Sequence, residues 1–263
     1  MSVARSEVTS LNSVLDVDGI SPHAVVDAGA KIGANVIVEP FAVIKGMVQL
    51  GDGCHVHSQA VIGDVPQDRK FNGESSGVRV GEGTVIREGA TIHRATGEAN
   101  TTVVGKRCYL MTQSHVAHNC VIGNNVTLVS GALLGGHVEI DDDVIVGGNT
   151  GVHQCVRIGA LSILAAGSLV SQDVPPFALT DRHGRVAGIN LVGLRRAGYS
   201  SVERNEIKEA YRQLYRCGIP AREIVDVLTA NAHSDAVFKL IEFLKGNSIR
   251  GLSRSTGLRT SHG

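Results

Sequence analysis

Ile, Leu or Val returns every six residues through most of this chain, and few folds accept that period. The beat runs Ile20, Val26, Ile32, Val38, Ile44, Leu50, Val56 and Ile62, and fails at Asp68 and Glu74. It resumes at Val80, Ile86 and Ile92 and fails again at Glu98. From Val104 it is unbroken through Leu110, Val116, Ile122, Leu128, Leu134, Ile140, Val146, Val152, Ile158, Leu164 and Val170. An amphipathic helix needs a period near 3.6 and a half-buried strand a period of 2. A period of six marks a β-helix, in which each hexad supplies a short strand and a corner and three hexads close one triangular coil. Coils then stack at the interstrand spacing of about 4.8 Å. Periodicity alone leaves the hand of the coil open.

Composition fits a narrow core. Trp is absent, Phe and Tyr number 5 and 4, and Gly reaches 32. The residue after the aliphatic one is often Gly (Gly33, Gly51, Gly63, Gly81, Gly105, Gly123, Gly147, Gly159), which suits a tight corner. Cys54, Cys108 and Cys120 fall four residues after a beat residue, at positions usually filled by small residues or Val, and read as core filler. With Cys155 and Cys217 the count is odd and no CxxC occurs, so a disulfide framework is not expected and a reducing, cytoplasmic compartment is. Lys plus Arg equals Asp plus Glu, so no basic excess points to nucleic acid. No signal peptide is read in the first residues, and no apolar run approaches the roughly 20 residues of a membrane span. An integral membrane protein is not expected.

The two failures of the beat predict loops that leave the prism, near Asp64–Arg79 and near Ala95–Thr102. A regular solenoid has no structural need of them, so they are candidate binding elements. Beyond the beat, Pro175-Pro176 is followed by a helical pattern from about Ala197. Ser200 with Glu203 forms a capping-box pair. Ile207, Ala210, Tyr211 and Leu214 share one face, with Gly218 as the stop. A second helix is predicted from near Pro220 with Ile224, Val227 and Leu228 inward. A third is predicted over Asp235–Lys245 with Val237, Leu240, Ile241 and Leu244 inward. Such helices would cap the last coil and hide its unpaired edge; the Ser/Arg-rich tail after Gly246 is expected to fray. The predicted organisation is an N-terminal extension over 1–19, a β-helix over 20–190 and a helical domain over 191–263.

Stacking in steps of eighteen gathers histidines that are distant in sequence. His118, His137 and His153 follow Val116, Leu134 and Val152 at the same corner of three consecutive coils. Asn119 lies beneath His137, and His115 is adjacent. Any one of them taken alone reads as a surface histidine, but a column of four out of eleven does not. Two chemistries fit: a general base working near neutral pH, or a histidine-bound zinc that activates water.

The motifs carry a more specific resemblance. QSHVAHNC (Gln113–Cys120), GGHVEI (Gly135–Ile140), GVHQ (Gly151–Gln154), QDVPP (Gln172–Pro176) and NLVGLRRAGYS (Asn190–Ser200) resemble the UDP-N-acetylglucosamine 3-O-acyltransferases of lipid A biosynthesis. PQDRKF (Pro66–Phe71) and TIHR (Thr91–Arg94) fit as well, and the resemblance covers roughly Ile20–Leu252. It implies an all-β left-handed parallel β-helix with a C-terminal α-helical domain, and a homotrimer with sites between subunits. First-loop and histidine-column residues can then belong to different chains. The implied reaction moves a 3-hydroxyacyl group from acyl carrier protein to the sugar 3-hydroxyl of UDP-N-acetylglucosamine. His118 would be the general base and the Gly136 N–H the oxyanion donor, with no metal, cofactor or covalent enzyme intermediate. Asp68 and Lys70 would hold the sugar, and His115, His137 and Gln154 would line the site. His153 would contact the nucleotide sugar or acyl chain, and Asn190 and Arg196 the nucleotide. Ala165 and Ala166 match the region that sets acyl length.

The sequence departs from the family pattern in places. Asn119 stands where many relatives have Asp, Val192 where they have an acidic residue and Ala197 where they have a basic one. The prism is also about one coil shorter before the first loop. These changes bear on the exact sugar nucleotide, with a 3-hydroxyl or a 3-amino acceptor. Another hexapeptide acyltransferase is the nearest rival, either the N-acyltransferase of the same pathway, which carries a uridine-binding domain before its repeats, or an acetyl-CoA enzyme. A hexapeptide zinc enzyme similar to the γ-class carbonic anhydrases usually has a His pair five apart, a spacing that His115 and His118 lack. A purely structural β-helix leaves the histidine column without explanation.

Overall fold

A computed structural model describes residues 19–216 and 221–256. In it the beat residues face the axis of a three-sided prism. Val38, Ile44, Val56, Ile62, Ile86, Ile92, Leu110, Leu128 and Val146 have no solvent contact. Val116, Leu134, Val152 and Val170 stand in direct register in successive coils. Burying each such side chain contributes about 1.5–3 kcal/mol, and the ladder of backbone hydrogen bonds satisfies the polar groups buried with them. Three sheets result, of eight, seven and nine strands. The first runs from Val25–Val26 to Leu169–Val170, and the second from Lys31–Ile32 to Arg157–Ile158. The third runs from Ile37–Val38 and is closed by an antiparallel pair, Ala178–Thr180 with Val186–Ile189. The fold is a left-handed parallel β-helix with helices at its C-terminal end.

The glycines after the beat serve a purpose other than the expected one. Apart from Gly63 (φ 86°), none of the eight has positive φ. They sit where one coil touches the next: a Cβ on Gly105 would lie 2.2 Å from the Gly123 carbonyl oxygen, and one on Gly81 2.6 Å from the Gly105 carbonyl carbon. The left-handed corner residue comes two positions later, three after the beat. Asn35, Gln59, Asn119, Asn125, His137, Asp143 and Asn149 all stand there with φ between 52° and 64°. Asn, Asp and His are the side chains that tolerate this region best after Gly. Cys54, Cys108 and Cys120 are buried, and each thiol donates to a backbone carbonyl. Burial pushes the Cys120 thiol up to about 12, which makes it inert as a nucleophile.

Both predicted excursions exist but are shorter than expected. Gly77–Val80 and Thr101–Val104 are already strands, paired with each other, so the loops span 65–76 and 94–100. The two loops bind one another. The Gly97 N–H donates to Glu74, the Ser75 N–H to Glu98, and Arg94 lies over the Phe71 ring at 4.9 Å.

At the C-terminal end, helix α1 (Leu191–Arg196) is one that the apolar pattern did not announce. Helix α2 (Ser201–Arg216) follows the expected capping box: the Ser200 N–H donates to Glu203 and the Glu203 N–H to the Ser200 hydroxyl. Helix α3 (Ala221–Asn231) buries Ile224 and Leu228, but Val227, predicted inward, is 38% exposed. Helix α4 (Asp235–Lys245) buries Val237, Leu240 and Ile241. The predicted stop at Gly218, the start at Pro220, Cys217, and the extension up to residue 18 lie outside the described residues.

The helices do not hide the prism edge alone. Within the described residues, the tail expected to fray returns instead, with Leu252 bridging to Asp173 and Ser255 to Val186. Arg157 joins prism to cap. It pairs with the buried Asp173 carboxylate at 2.9 Å, donates to the Phe243 carbonyl and stacks on the Phe243 ring. No helix among the described residues is long and apolar enough to cross a membrane.

Candidate active site

The histidine corner opens onto a groove of about 700 Å³. Gln67, His115, His118, Gly136, His153 and Gln154 line its polar end, and Leu133, Gly151 and Leu169 continue it along the outer face of the first sheet. Leu169 is 75% exposed and Leu133 about half exposed. Strand residues on an outer face are normally polar, so this strip is an apolar trough opening away from the histidines.

His118 is fixed at one ring nitrogen. Its Nδ1 lies 2.8 Å from Asn119 Oδ1. The orientation of that amide is itself determined: the Thr96 N–H and hydroxyl both donate to Oδ1 at 2.9 Å, and Nδ2 donates to the Thr96 carbonyl at 3.0 Å. A flipped amide would break both bonds to the Thr96 backbone. Oδ1 therefore accepts from His118, so Nδ1 carries a proton and, in the neutral ring, Nε2 is the nitrogen with the lone pair. Nε2 points to Asp68 Oδ2 at 3.9 Å and to the Cα of Gly136, where an added Cβ would lie 2.5 Å away. The ring thus fills the space that glycine leaves one coil above it. Among the described residues, the Gly136 N–H has no acceptor.

Burial disfavours the charged form of His115 and His137. The His115 pKa is pushed down to about 4 by desolvation, reinforced by His93 and His118. Its Nδ1 is hydrogen-bonded to the Thr91 hydroxyl at 2.7 Å. His137 meets the His118 ring edge-on at 5.2 Å, and burial lowers its pKa too. His118 is thus placed among rings that resist protonation. Among the described residues, the one group of three His, Cys, Asp or Glu donor atoms lying within 4.8 Å of one another is elsewhere, at Glu39, His55 and His57.

Of the sequence-predicted residues, the structure gathers His115, His118, Gly136, His153 and Gln154 on the groove, with His137 and Asp68 in contact with His118 or within 4 Å of it. Asp68 reaches His118 within a single chain. Lys70 is exposed on the same loop, and Arg196 is exposed at the end of α1. Asn190 is only 5% exposed and already occupied: it caps α1 through the Gly193 N–H and donates to the Leu161 carbonyl. Ala165 and Ala166 stand at the corner before Leu169 and do not line the groove. Gln67 on the groove, and His93 and Thr96 behind it, are not among the expected site residues. His93, buried and edge-on to His115 at 4.9 Å, has an Nδ1 without a partner. Thr96 secures Asn119. His93 precedes the second excursion and Thr96 lies within it, where counting by eighteen fails.

The Asn119 amide makes a testable point. Asn119→Asp keeps the acceptor on Nδ1 but adds a negative charge, which raises the His118 pKa. The acid limb of the kcat/KM profile should move to higher pH, because the unprotonated ring is the active form. An unchanged acid limb would mean that His118 is not the base.

Comparison with known proteins agrees with the geometry. Residues 173–253 match the model for domain 2 of the UDP-N-acetylglucosamine O-acyltransferases, and residues 29–64 and 101–136 match the bacterial transferase hexapeptide model. The acyl-[acyl-carrier-protein]–UDP-N-acetylglucosamine O-acyltransferase of Campylobacter concisus is 36% identical over 92% of this chain and 93% of its own length. That of Gloeothece citriformis is 39% identical over 77% and 74%. The structure of the UDP-N-acetylglucosamine acyltransferase from Campylobacter jejuni superposes with a TM-score of 0.79 at 34% identity, covering 89% of this chain and 99% of that one. On sequence, fold and the ordered site motifs, this chain belongs to the UDP-N-acetylglucosamine O-acyltransferase family and is an acyltransferase.

Proposed function

We propose that the chain transfers a 3-hydroxyacyl group from acyl carrier protein to the 3-hydroxyl of UDP-N-acetylglucosamine, the opening step of lipid A synthesis. The observation that carries this reading is the free Nε2 of His118 beside the unpaired Gly136 N–H, at the head of an apolar trough. The sugar hydroxyl is a poor nucleophile at neutral pH. Nε2 takes its proton as the oxygen attacks the thioester carbonyl. The Gly136 N–H donates to the oxyanion of the tetrahedral intermediate. Collapse breaks the C–S bond, and the proton on His118 passes to the departing phosphopantetheine thiolate. The acyl carrier brings its own thiol, so the enzyme needs neither metal nor cofactor for this step.

Asp68 and Lys70 hold the sugar in this scheme, and His115, His137 and Gln154 shape the pocket around it. The exposed Arg196 guanidinium suits the diphosphate, whose oxygens its planar fork pairs with. The acyl chain lies on Leu133, Gly151 and Leu169. That trough is open on one side, and a neighbouring copy in a homotrimer would close it over the chain.

The neutral partner Asn119 favours one second reading, a 3-amino sugar nucleotide. An amine attacks without prior loss of a proton and asks less of the base than a hydroxyl does. The test is an assay of the purified enzyme with UDP-N-acetylglucosamine, and with its 3-amino analogue, against carrier proteins bearing 3-hydroxyacyl chains of several lengths. Ester product is the expected result. Amide product alone would move the acceptor to the amine, and no product with any donor would overturn the reaction.

A further inference from the structure

A second cluster of ionisable side chains lies away from the groove, on the corner between the third and first sheets. Glu39 follows the strand Ile37–Val38, and His55 and His57 flank Val56 one coil above. A single carboxylate oxygen, Glu39 Oε1, is 2.9 Å from His55 Nε2 and 3.0 Å from His57 Nδ1. The other oxygen accepts from the Ser58 N–H and hydroxyl. The two imidazoles stack at 3.9 Å. Glu88, one coil further on, brings its Oε1 to 3.8 Å from His57 Nδ1. One atom from each of Glu39, His55 and His57 can be chosen so that all lie within 4.8 Å of one another.

We propose that Glu39, His55 and His57 form a binding site for a divalent transition ion of the zinc class. Two ring nitrogens and one carboxylate oxygen are the donor set that zinc selects. Metal–ligand bonds of about 2.0–2.2 Å place tetrahedral donors roughly 3.4 Å apart, so the two separations from the carboxylate oxygen need to open by only a few tenths of an ångström, and the two ring nitrogens already lie within 4.8 Å of each other. One ring must also rotate out of the stack to aim its lone pair at the shared point. The Ser58 bonds to the second Glu39 oxygen hold the carboxylate in place, as an outer shell commonly does for a ligating carboxylate. Water fills the fourth position, because Arg87 pairs with Glu88 at 2.9 Å and holds it back.

The site has a structural use independent of the catalytic groove. Ile20, Val26 and Ile32, the aliphatic residues of the first coil, are only partly buried, so the N-terminal end of the prism is its less well packed part. A metal shared by Glu39 and the two histidines ties the second coil to the third. An ion that binds only the folded chain stabilises it in proportion to the logarithm of its concentration over Kd.

The experiment uses the full chain stripped of metal. Zn²⁺ is titrated by calorimetry, and Co²⁺ by its visible absorption, into wild type, the double variant His55→Gln/His57→Gln, and Glu39→Gln. Metal can also meet the catalytic histidines, so the decisive quantity is the difference between proteins. Wild type should bind one equivalent per chain more than the double variant. Glu39→Gln should weaken that equivalent at least about tenfold. Zn²⁺ should raise the Tm of wild type by more than that of either variant. Equal stoichiometry and equal Tm shifts in all three proteins would overturn the proposal and leave the cluster as a shared-proton contact. Glu39→Gln keeps the result readable should the double variant fail to fold. Transferase activity in metal-free buffer should be unchanged in the variants.

Discussion

His118→Ala is expected to lower kcat by about 10²–10⁴-fold, the range that a positioned general base contributes. The imidazole is mostly buried, with 12% of its side chain exposed, yet it supports little else in the structure. Asn119 keeps its three bonds to Thr96 without it, and the beat residue Val116 beneath the corner is untouched. Thermal unfolding should therefore shift little while turnover collapses. Substrate binding rests on other groups and should survive. An Ala variant with full activity would remove His118 from the mechanism and leave the reaction itself standing.

Gly136→Ala should be as damaging although it deletes nothing. The new Cβ would meet His118 at 2.5 Å from Nε2 and 2.6 Å from Cε1. The ring cannot retreat easily, because Nδ1 is held by Asn119. It must tilt or shift, and a misplacement of about 1 Å in a reacting group can cost 10²-fold. Backbone strain is not the cause, since Gly136 has an ordinary φ. Gly135→Ala is the instructive control. There the added carbon would strike the Gln154 backbone nitrogen at 2.7 Å, so coil stacking suffers and the loss should appear in Tm. The two neighbouring substitutions should separate cleanly, one in kcat and the other in stability. A loss of Tm for Gly136→Ala equal to that for Gly135→Ala would sink this account.

The prism was legible from sequence because one residue type in six decides the whole cross-section. Val116, Leu134, Val152 and Val170 could be placed above one another by counting, and the histidine corner came with them. Counting failed where the chain leaves the prism. Thr96 reaches the site only because the second excursion folds back, and the same excursion lengthens the step from the strand of His93 to that of His115 from 18 residues to 24, which no period reports. A periodic Gly looks the same whether a tight turn or, as here, crowding between coils requires it. Asn190 shows a different limit. Its place in a recognisable motif says nothing about whether its amide is spent on capping a helix. Val227 fell on the inward arc of a helical wheel, but α3 rests against only part of that arc. Arg157 gave no sequence signal at all, since its partners Asp173 and Phe243 come together only when the cap closes on the prism.

Because every coil repeats the same three faces, chain length and site geometry are separable in this fold. Removing or adding a stretch that makes one full turn of the screw returns each later residue to the face it held before, a few ångströms along the axis. Such a change shortens or lengthens the column without rotating His118 away from Gly136 or Leu169. A deletion of a fraction of a turn from the prism walls would rotate the rest of the molecule about its axis and dismantle the groove, whereas the loops at 65–76 and 94–100 can take up other lengths. Lineages carrying this architecture can therefore drift in height by whole storeys while their chemistry stays in place.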